Sequence, residues 1–225
     1  MKKIQVALDG PSGSGKSSLA KRLSRDLGLY YIDTGALYRA VGLYLKECGV
    51  TPEDVSAIEA ALADCRVSFD FVDGAQRTML DGRDVSGLIR TPEIAQWASK
   101  TSALPAVRAL LLSVQRDFAR ENSVIMDGRD IGTTILPDAP LKIFLTASAE
   151  ERARRRLKEL LEAGQEIDFE TVLREQKERD HRDETREISP LRRAEDAVLV
   201  DTTALDFEES YLALRRVIEE RMEKL

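Results

Sequence analysis

The stretch Gly10–Ser17, GPSGSGKS, fits the pattern G-x-x-x-x-G-K-[ST] and carries residue types suited to binding phosphate groups. Its glycines permit a tight backbone turn whose N–H groups point inward, and a following helix would add the positive end of its dipole. Lys16 can reach the β- and γ-phosphates of a nucleotide, and the Ser17 hydroxyl can ligate Mg²⁺. The pattern therefore predicts a site for a nucleoside triphosphate and magnesium.

The flanking sequence supports this interpretation, because the stretch follows an apolar run typical of a strand and opens a helical pattern. The main rival class is a GTPase or motor-type ATPase. A GTPase should carry the guanine-reading motif N-K-x-D, which the sequence lacks, and its D-x-x-G match, Asp84–Gly87, is far from the phosphate loop. The sequence therefore favours a phosphotransferase over a conformational switch.

The tetrapeptide DGRD occurs twice, at residues 81–84 and 127–130. In the first copy, Asp81-Gly82 lies between alternating apolar residues, which predicts a hairpin turn with Arg83 as a surface residue. The second copy follows the strand-like run Val124–Met126. Because ligands of open α/β sheets bind beyond the carboxyl ends of strands, we expect only the second copy to face the phosphate loop.

Three side chains near these strand ends suggest specific chemistry. Arg129, in the second DGRD copy, could reach a phosphate group. Asp127 and Asp33 each end a predicted strand, and either could hold Mg²⁺ through a water molecule. The sequence does not decide between the two carboxylates.

The composition limits the other function classes. The 225 residues, of which 43% are hydrophobic and 33% charged, are typical of a single globular domain and exclude a disordered or membrane class. The net charge of −6 argues against a nucleic-acid binder that relies on bulk positive charge. Two lone cysteines and a single histidine make a protein zinc site improbable and suit a reducing cytosol. With no predicted signal or membrane segment, we expect a cytoplasmic protein.

The hydrophobic pattern predicts an α/β fold. Five short apolar runs, IQVALD, LYYID, SVIMD, LKIFLTA and AVLVDTT, alternate with helical patterns, which indicates a parallel sheet covered on both faces. Two regions depart from this alternation. Residues 66–90 alternate with period two and contain two Asp-Gly pairs, as hairpins do, whereas residues 150–193 predict two exposed helices separated by GQEIDF.

Taken together, the segments resemble the bacterial cytidylate kinases in order and spacing over residues 4–203. These segments are GPSGSGKSS, IDTGALYRA, DVSGLIRTPEI, ASK with PAVRALLL, MDGRDIGT, KIFLTASAEERARRR, ERDHRDETREISPL and AEDAVLVDTT. The resemblance implies transfer of the γ-phosphoryl group of ATP to CMP or dCMP. It also implies a nucleoside-monophosphate-kinase fold: one kinase domain, 1–225, with its core at 1–34, 95–150 and 193–225. A monophosphate-binding insertion is expected at 35–94 and a helical lid at 151–192.

The resemblance also implies roles for individual residues. Lys16, Arg39 and Arg129 are the expected catalytic residues. The expected ATP contacts are Gly10, Pro11, Ser12, Gly13, Ser14, Gly15, Lys16, Ser17, Ser18, Arg155 and Arg156. The resemblance does not decide which of Arg152, Arg155 and Arg156 reach ATP. The expected CMP contacts are Thr34, Arg108, Asp130 and Arg186 at the cytosine, Ser99, Arg179 and Asp183 at the sugar, and Arg39 and Arg129 at the phosphate. Ser17 is the expected Mg²⁺ ligand, and ATP with CMP or dCMP are the expected partners of a monomer that binds neither nucleic acid nor membrane.

The chemistry of cytosine agrees with part of this assignment. Its amino group can donate to a carboxylate such as Asp130, while its acceptor edge suits the donor-only guanidinium groups of Arg108 and Arg186. Asp130 could instead serve only to orient Arg129 through an ion pair. Two other functions stay open: a UMP-preferring or adenylate kinase of the same fold, and a non-catalytic nucleotide-binding regulator.

Overall fold

A computed structural model, which describes residues 3–224, contains one five-stranded and one three-stranded sheet. Its strands are β1 (Gln5–Asp9), β2 (Tyr30–Asp33), β3 (Val67–Val72), β4 (Ala75–Leu80), β5 (Arg83–Asp84), β6 (Val124–Gly128), β7 (Leu141–Thr146) and β8 (Val198–Asp201). The larger sheet has the order β2-β6-β1-β7-β8, and all its neighbouring strands are parallel. The five apolar runs of the sequence are these five strands, so the predicted parallel sheet is confirmed.

Helices cover both faces of this sheet. The α-helices of the described residues are α1 (Lys16–Leu27), α2 (Thr34–Glu47), α3 (Val55–Leu62), α4 (Pro92–Thr101), α5 (Pro105–Glu121), α6 (Ala149–Glu162), α7 (Phe169–Thr185) and α8 (Phe207–Met222). Successive residues of a strand point to opposite faces. Val6 and Leu8 of β1 accordingly pack in one cluster with residues of α1 and α8, whereas Ala7 packs in another with Ala119 of α5. The predicted covering of both faces is therefore confirmed.

The hairpin prediction for the first half of the chain is also confirmed. Strands β3, β4 and β5 form an antiparallel meander in which Val72 pairs with Ala75 and Leu80 pairs with Arg83. The second turn is Asp81-Gly82, with φ of 49° and 79°, the left-handed conformation that a two-residue hairpin turn requires. The first DGRD copy is thus a turn.

Aromatic side chains join this meander to the main sheet. Phe69 and Phe71 of β3 pack against Phe118 of α5 and Tyr30, the first residue of β2. The Tyr30 and Phe71 rings lie edge to face with centroids 4.7 Å apart. Such pairs contribute about 0.5–1.5 kcal/mol beyond their buried area, so they stabilise the packing of the meander against the edge of the main sheet.

The charged segment after β7 forms two helices, α6 and α7, separated by residues 163–168, as the sequence predicts. The two helices share a small apolar cluster in which Ala153, Leu160 and Val172 are buried. No helix within residues 3–224 combines the length and apolarity that a membrane-spanning segment needs.

Candidate active site

The phosphate loop connects β1 to α1, and its glycines have conformations that other residues rarely adopt. Gly10, Gly13 and Gly15 have φ of 150°, 75° and 86°. A Cβ on Gly10 would collide with the carbonyl oxygen of Leu145 on the neighbouring strand. Since only glycine combines this backbone freedom with such a close approach, the sequence forces the loop to turn tightly before α1 begins.

Lys16 is the first residue of α1, and its side chain lies across the loop. Its Nζ donates hydrogen bonds to the carbonyl oxygen of Pro11, at 2.6 Å, and to Oγ of Ser14, at 3.1 Å. Burial, with the nearby charge of Arg129, lowers the pKa of Lys16 well below its usual value. An anion bound in the loop would counter both effects, because it stabilises the charged ammonium.

Ser17 and Asp127 form the site's best candidate for a metal ion. Ser17 Oγ donates a 2.6 Å hydrogen bond to Oδ2 of Asp127, whose Oδ1 accepts one from the hydroxyl of Tyr31. Burial, followed by the charge of Asp33, raises the pKa of Asp127. Within residues 3–224 no group of three or more His, Cys, Asp or Glu side chains could hold a metal. A hydroxyl and one carboxylate nevertheless fit Mg²⁺, which takes oxygen ligands and usually keeps waters and substrate phosphates.

Asp33, the other carboxylate that the sequence predicts for Mg²⁺, is paired with arginines. Its Oδ1 accepts a hydrogen bond from the N–H of Ala36, and its Oδ2 lies 2.9 Å from guanidinium nitrogens of both Arg39 and Arg90. Burial raises the pKa of Asp33, but the two arginines outweigh it and hold the pKa below its usual value. Because two guanidinium groups already neutralise the Asp33 carboxylate, whereas only hydroxyl groups donate to the carboxylate of Asp127, the contacts favour Asp127 over Asp33 as the carboxylate near the metal.

Arg39 nevertheless keeps capacity for a ligand. Its Nε is buried and has no hydrogen-bond partner within residues 3–224. A buried guanidinium N–H without a partner is unfavourable, so an anionic oxygen is a fitting partner for it. Arg90 lies in the segment DVSGLIR, and the sequence pattern predicted no individual role for it.

Three of the predicted cytosine contacts meet at one point. Arg108 donates to Oδ2 of Asp130, and Arg186 lies 3.4 Å from Oδ1 of the same carboxylate. Asp130 is only 3% exposed, so its charge is neutralised inside the protein by two guanidinium groups. Thr34, the fourth residue, lies at the start of α2, where its hydroxyl donates to the carbonyl oxygen of Asp127 at 2.8 Å.

Arg129 is not paired with Asp130, which removes the alternative in which Asp130 orients Arg129 through an ion pair. Instead, Arg129 Nε donates to Oδ2 of Asp183 at 2.8 Å. Arg179 lies beside them, and burial with the charge of Arg129 lowers its pKa to about 10. The second DGRD copy therefore lies among several cations next to the phosphate loop, as the sequence predicts for that copy.

Ser99, the remaining expected sugar contact, lies half-buried on α4. Its hydroxyl makes no hydrogen bond within residues 3–224, and its carbonyl oxygen accepts one from Ser102. The same short segment positions Arg108, whose second guanidinium nitrogen donates to the carbonyl oxygen of Ser102 at 3.1 Å. A sugar contact for Ser99 stays a prediction.

The arginines of α6 point in different directions. Arg155 donates to the carbonyl oxygen of Thr202 at 2.7 Å, and Arg156 is paired with Glu159 on the exposed face of the helix. The arginine that touches the phosphate loop is Arg152, which donates to the carbonyl oxygen of Ser12 at 3.0 Å. The expected ATP contacts of Arg155 and Arg156 therefore stay predictions.

Two further polar residues were missed by sequence reasoning. Gln176 of α7 also donates to the carbonyl oxygen of Ser12, at 3.0 Å. Asp9, which ends β1, accepts 2.7 Å hydrogen bonds from the N–H groups of Ile131 and Gly132, just after the second DGRD copy. The position of Asp9 at a strand end next to the phosphate loop was a usable signal, whereas nothing local marks Gln176.

A parallel sheet with a phosphate loop between its first strand and first helix, near several buried and half-buried arginines, defines the class of P-loop nucleotide-binding proteins. A comparison with protein-family profiles matches residues 6–221 to the family described as "Cytidylate kinase". A "Cytidylate kinase" from Caldicellulosiruptor saccharolyticus is 49% identical over 219 residues, which are 97% of this chain and 96% of the relative. Another, from Mycobacterium avium, is 47% identical over 98% of this chain and 97% of the relative. The chain belongs to the cytidylate kinase family, and the resemblance inferred from the sequence is confirmed.

Among solved structures, an uncharacterized protein from Eubacterium ventriosum superimposes with a TM-score of 0.50 over 97% of this chain and 99% of its own. Its sequence is 15% identical, so the likeness concerns the fold alone.

Proposed function

We propose that this protein transfers the γ-phosphoryl group of ATP to CMP or dCMP, giving ADP and the corresponding diphosphate. Membership in the cytidylate kinase family supports the reaction. The preference for cytosine is inferred from the cluster of Arg108, Asp130 and Arg186, which lies beyond the end of β6. Its carboxylate can accept from the amino group of cytosine, and its guanidinium groups can donate to the acceptor edge.

Catalysis then rests on positioning and charge rather than on covalent work by the protein. The inward N–H groups of the phosphate loop and Lys16 hold the donor phosphates. Arg39 and Arg129 hold the acceptor phosphate in line with them. The partial burial of these cations strengthens their attraction for the charge that develops on the transferred group, because less water screens it.

Mg²⁺ would be held by the Ser17 hydroxyl and, through water, by Asp127. When bound, it neutralises charge on the donor phosphates. The contribution of this chain is to hold Ser17 and Asp127 together at one edge of the phosphate loop, with Tyr31 fixing the second oxygen of the carboxylate.

We further propose that residues 35–94 form the monophosphate-binding insertion and that residues 151–192 form a lid. The lid's separate apolar cluster and its two contacts to Ser12 support a unit that moves against the loop. Closure would exclude water from the transferred phosphoryl group and limit wasteful hydrolysis. Hydrogen exchange in α7 should slow with a bisubstrate analogue; identical exchange with and without it contradicts closure.

The protein is proposed to act as a cytoplasmic monomer whose partners are its small-molecule substrates. Its net charge of −6 disfavours a polyanion such as nucleic acid as partner.

The deciding experiment is turnover with ATP and Mg²⁺ against CMP, dCMP, UMP, AMP and GMP. The cytidine nucleotides should be used best. Lys16→Met is the control, and it should lower turnover roughly 10²-fold or more, because it removes a charge aimed at the transition state. Preference for another monophosphate, or near-normal turnover by a folded Lys16→Met variant, overturns the proposal.

A further inference from the structure

Strand β2 is an edge strand of the main sheet, so one side of its backbone lacks a neighbouring strand. At Asp33 this side is occupied by a side chain. Gln76 of β4 accepts a 2.8 Å hydrogen bond from the Asp33 N–H through Oε1, and its Nε2 donates a longer one, 3.4 Å, to the Asp33 carbonyl oxygen. The amide of Gln76 thus supplies the donor and acceptor that a sixth strand would have supplied.

The residue held in this way is the anchor of the arginines that face the site. Asp33 Oδ2 lies 2.9 Å from both Arg39 and Arg90, and its Oδ1 caps the N-terminus of α2. A displacement of the Asp33 backbone therefore displaces the guanidinium of Arg39. Arg39 is half-buried, and its Nε has no hydrogen-bond partner within residues 3–224. A small shift of its guanidinium group would therefore change the geometry with which Nε can donate to a phosphate oxygen.

The meander that carries Gln76 is itself fixed to the core. Phe71 of β3 packs on Tyr30, at the start of β2, while Gln76 reaches Asp33, at its end. Gln76 also shares the inward face of β4 with Thr78 and Leu80, both of which are buried. The meander therefore contacts β2 at both of its ends, and Gln76 makes the polar contact at the end nearer the site.

We infer that Gln76 is a positioning residue for the arginine side chains that face the acceptor phosphate. It holds the backbone of Asp33 in place, and Asp33 in turn holds the guanidinium groups of Arg39 and Arg90. This inference rests on the proposed function, in which Arg39 binds the acceptor monophosphate. The side-chain hydrogen bonds of Gln76 within residues 3–224 go to Asp33 and Thr78 and not to the phosphate loop, so binding of the donor nucleotide should not depend on Gln76.

The test is Gln76→Met, which preserves the length of the side chain but cannot pair with a backbone. The KM for CMP should rise roughly three- to tenfold, the change expected for one lost hydrogen bond, while kcat and the KM for ATP change less than about twofold. Exchange of the Asp33 amide hydrogen should also accelerate, because its acceptor is gone. The matched control is Arg77→Met. Arg77 is the next residue along β4; it is exposed, and among residues 3–224 its ion-pair partner is Asp84, at 3.8 Å. This variant should leave all three quantities near those of the unchanged protein.

The outcomes separate this inference from the proposed function. Failure of the unchanged protein to phosphorylate CMP defeats the proposed function, whatever Gln76 does. If the unchanged protein is active, a Gln76→Met variant with an unaltered KM for CMP defeats the inference. Equal rises in the KM for CMP and for ATP, or a lowered Tm with unchanged kinetics, also defeat it, because they indicate only a structural contact. An unchanged exchange rate of the Asp33 amide hydrogen in Gln76→Met would show that the hydrogen bond from the Asp33 N–H to Gln76 Oε1 does not protect this amide in solution.

Discussion

The hydroxyl of Ser17 donates a 2.6 Å hydrogen bond to Oδ2 of Asp127, which joins the first turn of α1 to the end of β6. The two residues are 110 positions apart in the chain. Their contact brings a hydroxyl and a carboxylate, both suitable for Mg²⁺, to the edge of the phosphate loop. Burial raises the pKa of Asp127, which means that keeping this carboxylate charged inside the protein lowers the free energy of unfolding.

Asp127→Asn should therefore separate activity from stability. We expect kcat to fall at least about tenfold and the Mg²⁺ concentration for half-maximal activity to rise, because a charge near the metal is lost. The Tm should stay the same or rise, since a buried charge is removed. Asp138→Asn, at an exposed position, is the control. Equal Mg²⁺ titrations for Asp127→Asn and the unchanged protein would exclude Asp127 from the metal site.

The two DGRD copies give a matched pair of variants. Arg129→Met should lower kcat/KM for CMP by about 10- to 150-fold, the effect of losing a charge-assisted hydrogen bond worth roughly 1.5–3 kcal/mol. Arg83→Met should change it less than about threefold, because Arg83 is exposed and its ion pair in the described part of the chain is with Glu47 on the surface. Steady-state kinetics on both variants check this, and comparable losses would mean that the first copy also serves the reaction.

Base selection is tested at the last residue of each copy. Asp130→Asn should reduce kcat/KM for CMP about 10- to 150-fold but affect UMP much less, because uracil offers a carbonyl oxygen where cytosine offers an amino group. The ratio of the two kcat/KM values is the measurement, and an unchanged ratio places base selection elsewhere. Removing the carboxylate also leaves Arg108 and Arg186 facing each other, so the Tm should fall. Asp84→Asn, in the exposed first copy, should alter neither quantity appreciably.

Asp9 predicts a specific pH dependence of stability. Burial raises the pKa of Asp9 from 3.8 to about 6, although hydrogen bonds from Gly132 and Ile131 oppose the rise; Asp130 and Lys16 are the charged neighbours. Because the folded pKa lies above the unfolded one, this carboxyl destabilises the fold at neutral pH. That destabilisation fades as the pH falls through about 6 towards 3.8.

The measurement is the free energy of unfolding in urea, at pH 7.5 and pH 5, for the unchanged protein and Asp9→Asn. From pH 7.5 to pH 5 the unchanged protein should gain roughly 1–2 kcal/mol relative to the variant. The other carboxyls are present in both proteins, so their titration cancels in the difference. A difference that is the same at both pH values contradicts an elevated pKa of Asp9.

The sequence by itself determined the features whose causes are local. The phosphate loop is one, because the positive φ of Gly13 and Gly15 and the helix beginning at Lys16 follow from adjacent residues. The Asp81-Gly82 turn is another, since two residues in the left-handed region are enough to define it. The strands of the main sheet were also predictable, because strands buried on both faces are short, nearly continuous apolar runs, and such runs are visible in the sequence.

Only the tertiary structure decided how distant polar side chains pair. Asp33 and Asp127 both end strands and lie opposite each other in the sheet, so sequence pattern treats them alike. They differ because Arg39 and Arg90 pack against Asp33 while Ser17 and Tyr31 reach Asp127. Likewise Arg152 is the arginine of α6 that donates to the phosphate loop, since the orientation of α6 selects which of its four arginines faces Ser12. Local sequence determines the position of a residue within its strand or helix. Packing between elements far apart in the chain determines which polar partner its side chain contacts.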